Sequence, residues 1–108
     1  MDDLSPLAVT EFGARAQEAA RLLKALGNEH RLLILCHLIT AEELSVSALT
    51  AEIGLSQSAL SQHLAKLREE GLVDYRREAQ SLFYRVADPR AAQVIAVLRD
   101  IYCPDLKA

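Results

Sequence analysis

"LTAEIGLSQSALSQHLAKLREEGL", residues 49–72, sets two short helical patterns on either side of Gly54-Leu55-Ser56. Gly54 stops one amphipathic run and Ser56 opens the next, the residue types that a helix C-terminus and an N-cap require. The reading is therefore a short helix capped by Ser45 and ending at Ile53, a tight turn, and a longer helix over about Gln57–Glu70 stopped by Gly71. Two helices joined in this way form a helix-turn-helix. At about 100° per residue, Leu60, Leu64 and Leu67 fall on one side of the longer helix and must face a core. Ser58, Ser61, Gln62 and Ala65 fall on the other, with Gln57 and Lys66 at its edges.

Working outward, a first helix is expected from about Val9 to Leu26, with Leu22, Leu23 and Leu26 at helical spacing and Gly27 closing it. Asn28 caps a second helix over about Glu29–Thr40. Downstream, "LVDYRR" and "SLFYRVA" are rich in β-branched and aromatic residues and flank the turn "EAQS", which predicts a β-hairpin. Asp88-Pro89 is an N-cap followed by proline, opening a last helix through about Tyr102 that Pro104 prevents from extending. The fold class is mainly α with a β-hairpin: four helices, a hairpin and a final helix, a winged helix-turn-helix in one domain spanning residues 1–108.

A chain of 108 residues with 51% hydrophobic content is apolar for its size, so part of its surface is expected to be hidden against a second copy. No apolar run reaches the ~18 residues of a membrane span. "MDDLSPLAVTEF" is acidic and lacks the basic and apolar regions of a signal peptide, which predicts a cytoplasmic protein without a membrane partner. Its two cysteines, Cys36 and Cys103, are then reduced thiols by default. The net charge of −3 does not favour nucleic acid, but residues 57–90 carry six basic side chains against five acids, so the negative balance sits elsewhere. A short, polar, nearly uncharged helix face beside hairpin basics suits a major groove better than plain solvation, which usually recruits Glu and Lys. The expected DNA contacts are Gln57, Ser58, Ser61, Gln62, Lys66, Arg76, Arg77 and Arg85. A winged-helix module that binds protein instead of DNA is the competing reading.

No glycine-rich phosphate loop and no carboxylate cluster is present, so an enzyme is not expected. His37 adjoins Cys36, yet neighbouring helix positions diverge by about 100° and do not form a nucleophile–base pair. His63 projects near Leu60 and Leu67 and reads as a packing residue, and His30 as a surface residue.

"LLKALGNEHRLLIL", "EELSVSALTAEIGLSQSALSQHLAKLREEGLV" and "RREAQSLFYRV" together resemble the ArsR/SmtB family of bacterial winged-helix repressors, over about residues 20–86. The resemblance implies a homodimer built through the first and last helices (about 9–26 and 89–103), bound to an inverted-repeat operator until an inducer lowers its affinity. The family's sensing pattern E-L-C-V-C-D-L is here Glu43-Leu44-Ser45-Val46-Ser47-Ala48-Leu49, with hydroxyls in place of both thiolates. Serine hydroxyls are poor ligands for soft metals. The family's zinc site on the last helix needs histidine, and "DPRAAQVIAVLRDIYC" has none. Neither a metal nor a cofactor is expected. "NEHRLLILCHL" and "IYC" are similar to the persulfide-sensing, BigR/SqrR-like branch, which implies that reactive sulfur species link Cys36 to Cys103 and release DNA. Peroxide or another oxidant, or a soft metal held by the same cysteines, is the alternative inducer. A lone cysteine in such an apolar helix is core filler more often than not, and it is the presence of Cys103 that makes Cys36 a sensing candidate.

Overall fold

The computed structural model describes residues 5–106. The elements are α1 (Pro6–Gly13), α2 (Ala16–Leu26), α3 (Glu29–Ala41), β1 (Leu44–Ser45), α4 (Val46–Ile53), α5 (Gln57–Glu69), β2 (Val73–Glu78), β3 (Ser81–Val86) and α6 (Pro89–Tyr102). A 3-10 turn follows at Pro104–Leu106. The architecture is a winged helix-turn-helix, as the sequence predicts.

Caps fix the helix starts. The Asn28 side chain accepts from the His30 and Arg31 amides at 2.9 and 3.2 Å. The hydroxyls of Ser45 and Ser56 each accept from the amide three residues on, at 3.1 Å. Each satisfies donors that the first helical turn leaves without partners. Gly54 adopts the left-handed conformation, φ 82°, in which a Cβ would be strained. It turns the chain from α4 into α5.

The expected helix over Val9–Leu26 is instead two helices, broken at Ala14 and Arg15. Gly13 weakens the helix there, and the Arg15 amide closes a tight turn onto the Phe12 carbonyl at 2.8 Å. The N-terminal piece has its own start signal, Ser5 followed by Pro6, the same device as Asp88-Pro89. It buries no side chain in this chain, so packing does not hold it in line with α2.

The sheet is antiparallel with strand order β1-β3-β2, so a two-residue strand before α4 joins the expected hairpin. Val73 pairs with Val86 and Glu78 with Ser81, which leaves Ala79-Gln80 as a two-residue turn. Ala79 takes φ 57° there, a backbone conformation usually given to glycine at the first position of such turns.

Leu60, Leu64 and Leu67 of α5 are all buried, against Ile34, Leu35 and Leu38 of α3, Leu49, Leu72, Val73, Ala91 and Ile95. Burying one leucine contributes roughly 1.5–3 kcal/mol. Three on one face therefore fix how α5 rolls, and with it what the helix shows outward.

Candidate functional site

With its leucines inward, α5 exposes Gln57, Ser58, Ser61, Gln62, Ala65 and Lys66. Among the described residues, none of the Gln57, Ser58, Ser61 and Gln62 side chains makes a hydrogen bond, so their donors and acceptors face solvent. Lys66 lies 3.5 Å from Glu69 in an exposed pair of the kind that contributes little. The result is a polar ridge, free of acids until Glu69, on a helix presented by a tight turn. It has the width and chemistry to reach base edges in a major groove.

The hairpin adds cations on two different faces, because successive strand residues alternate. Arg77 shares its face with Tyr75 and stands opposite Leu82. That is the α5 side: the Arg68 guanidinium of α5 lies 4.5 Å from the Tyr75 ring centroid, and Tyr75 rests on Tyr84 at 5.3 Å. Arg77 is exposed and makes no hydrogen bond or ion pair among the described residues. Arg76 and Arg85 occupy the other face with Asp74 and Phe83. Arg85 is exposed and likewise free of hydrogen bonds and ion pairs among the described residues.

Arg76 donates from all three guanidinium nitrogens. Its Nε and Nη2 donate to the two carboxylate oxygens of Glu43, each at 2.9 Å, and Nη1 donates to Glu78 at 2.7 Å. The guanidinium also lies 4.7 Å from the Phe83 ring centroid. Hydrogen bonding from Arg76 holds the Glu43 carboxyl below its ordinary pKa. Arg76 was expected among the DNA contacts, and here three of its five N–H donors are committed to Glu43 and Glu78. The sequence carries no local sign of this, since Glu43 is 33 residues away and the register of β1 on β3 brings it near.

Cys36 is half-buried on α3, on the side turned away from Ile34, Leu35 and Leu38. Its carbonyl accepts from the Thr40 hydroxyl at 2.9 Å. Cys103 is exposed at the C-cap of α6, its amide donating to the Arg99 carbonyl at 2.7 Å. Both thiols are free; α3 and α6 pack on each other, and each contributes to the core, Leu35 and Leu38 from the first and Ala91 and Ile95 from the second. No group of three or more His, Cys, Asp or Glu side chains suited to a metal ion occurs among the described residues. His37 is half-buried one position from Cys36, and His63 is half-buried beside the ring of His30.

An outer apolar surface remains. On α6 the apolar arc runs on past the buried Ala91 and Ile95: Val94 packs against the core, Leu98 is half-buried, and Val97 and Ile101 are 56% and 61% exposed. Leu7, Val9 and Phe12 of α1 and Leu23 of α2 are exposed as well. The sequence reading bounded the last helix by Asp88-Pro89 and Pro104 and did not separate its covered apolar positions from its uncovered ones. No helix among the described residues is long and apolar enough to cross a membrane.

Residues 28–75, from the cap of α3 to Tyr75, match the family described as bacterial regulatory protein, arsR family. Over 96 residues the chain is 45% identical to the HTH-type transcriptional regulator YgaV of Escherichia coli K12, covering 89% of this chain and 97% of that one. Its fold is similar to that of the transcriptional repressor BigR from Xylella fastidiosa, with a TM-score of 0.83 and 41% identity over 87% of this chain and 95% of BigR. Reduced HlyU from Vibrio cholerae superposes with a TM-score of 0.80 and 48% identity over 86% and 97% of the two chains. The chain therefore belongs to the arsR family of bacterial regulatory proteins and is a DNA-binding transcriptional regulator, not an enzyme.

Proposed function

We propose that this regulator is a single-domain homodimeric repressor whose grip on an inverted-repeat operator is released when reactive sulfur species join Cys36 to Cys103. The recognition helix α5 reads bases through Gln57, Ser58, Ser61 and Gln62. Lys66, Arg77 and Arg85 supply phosphate contacts. Two-fold symmetry places the two copies of α5 in successive major grooves about 34 Å apart. The exposed stripes of α1, α2 and α6 supply the dimer interface, a role in keeping with so much uncovered apolar surface on a small chain. Repression is the sense of regulation stated for BigR.

One observation carries the inducer: the chain's only two thiols stand free on α3 and at the end of α6, helices that pack on each other. Sulfur transfer to such a pair needs no metal. One thiolate takes sulfane sulfur from persulfide donors, which leave as thiols. The other thiolate then displaces hydrosulfide from the chain so formed and closes a polysulfide bridge. The oxidising equivalents come from the sulfane sulfur, and a thiol reductant restores both cysteines. A bridge between α3 and α6 alters the scaffold that holds two recognition helices in register. A coupling of only about 1–3 kcal/mol changes affinity roughly 5–150-fold.

Intact-mass measurement on the reduced protein tests this chemistry. A persulfide donor is expected to add about one or two sulfur masses while blocking both thiols, reversibly on reduction. Peroxide at matched dose is expected to leave this adduct unformed. Adducts confined to one cysteine, or a bridge formed equally well by peroxide, overturn the assignment of the inducer.

A further inference from the structure

The central strand of the wing is β3, with β1 on one side and β2 on the other. The Arg76 side chain starts on β2, lies over Phe83 of β3 and ends on Glu43, next to β1. It is a strap across all three strands. All three of its nitrogens donate, Nε and Nη2 to Glu43 and Nη1 to Glu78, which commits three of its five N–H groups in a fork geometry that arginine fits and lysine does not. Glu43 and Glu78 more than offset the charge of Arg76, which leaves Arg85, also acting on Glu43, as the uncommitted cation of that face.

We infer that Arg76 and Glu43 are positioning residues for DNA binding: they fix the tilt of the wing, and so aim Arg77, without either one contacting DNA. The reason lies in the pleat. Arg76 and Arg77 are adjacent and point to opposite faces, so restraining the first sets the direction of the second. The hairpin needs such a restraint. Residues 76–81 are all exposed, and only the two residues of β1 pair with its other edge. The base of the hairpin is held by Val73 and Tyr84 in the core, so the tip beyond them is the part that needs the restraint. Glu43 is anchored in turn: it follows Glu42, which takes φ 72° at the end of α3, and precedes the β1 ladder.

The sign of the effect separates this role from direct electrostatics. If Arg76 bound phosphate, removing Glu43 would free a cation and remove an anion, and both changes would strengthen DNA binding. If the pair aims the wing, losing either partner weakens it. The test uses full-length Arg76→Ala, Arg76→Lys, Glu43→Gln and the double variant Glu43→Gln/Arg76→Ala. The probe is a duplex selected by the wild-type protein from a random pool, titrated at several salt concentrations. All four variants are expected to lose affinity by a similar factor, several-fold, with the double variant no weaker than the weaker single. The salt slope should stay at the wild-type value, because no phosphate contact is lost. Thermal midpoints should barely move, since the pair is solvent-exposed, and this separates aiming from a general loss of folding. Tighter binding by Glu43→Gln, full affinity in Arg76→Lys, or a slope reduced by about one in Arg76→Ala overturns the inference.

Discussion

His63 on the recognition helix and His30 in the first turn of α3 face each other with ring centroids 5.7 Å apart and planes tilted by 40°. Burial holds the His63 imidazole below its ordinary pKa, and the nearby charges of Arg31 and His30 push in the same direction. The unfolded chain therefore takes up this proton first as pH falls below about 6.5. Stability contributed by neutral His63 is complete above that pH and is lost as pH falls toward the lower folded-state value. Urea unfolding at pH 7.5 and pH 5.5 should show a loss in the wild type that is smaller in His63→Gln. Equal losses in the two proteins would show that this ring pair does not couple protonation to folding.

Gly54 reaches φ 82° at the turn between α4 and α5, and a Cβ built there meets nothing within 4 Å. The cost of Gly54→Ala is then one of backbone conformation alone, about 1–2 kcal/mol. Gly54→Asn should cost less, because asparagine tolerates the left-handed region better. Denaturant midpoints rank the three proteins, and an unchanged midpoint in Gly54→Ala would contradict the assignment of strain.

The exposed stripe on α6 should behave as an interface. Ile101→Glu places a carboxylate on a residue 61% exposed in the isolated chain, which a monomer tolerates and a dimer does not. Sedimentation at micromolar concentration should give a dimer for the wild type and a shift to monomer for Ile101→Glu, with retained helical circular dichroism. DNA affinity should fall with it, since one half-site offers half the contacts. A monomeric wild type would remove the interface proposed for this surface.

The parts of the fold that were legible in the sequence are those written locally. Asn28, Ser45, Ser56 and Asp88 cap the helices they were expected to cap, and Leu60, Leu64 and Leu67 are buried as their spacing required. Periodicity carried the reading across Gly13, where a single helix became two, because Leu22, Leu23 and Leu26 supply a pattern only to the second. Strand β1 has two residues, too few for any alternation to show. The same limit hid the strap. Arg76 and Arg77 look alike in sequence, and only the register of three strands separates a cation held by Glu43 from one left free. Likewise, Cys36 and Cys103 were found by composition, while the exposure of one and the partial burial of the other came from the fold.

In the proposed mechanism the two thiols act together on DNA affinity. Fluorescence anisotropy of a labelled duplex, selected by the reduced protein from a random pool, tests it most directly with the wild type, Cys36→Ser and Cys103→Ser. All three reduced proteins should bind with similar affinity. A persulfide donor should weaken the wild type roughly 5–150-fold, reversibly on reduction, and leave both variants bound. Release of either single-cysteine variant to the wild-type extent, or a wild type that stays bound with both thiols modified, would contradict joint action of Cys36 and Cys103.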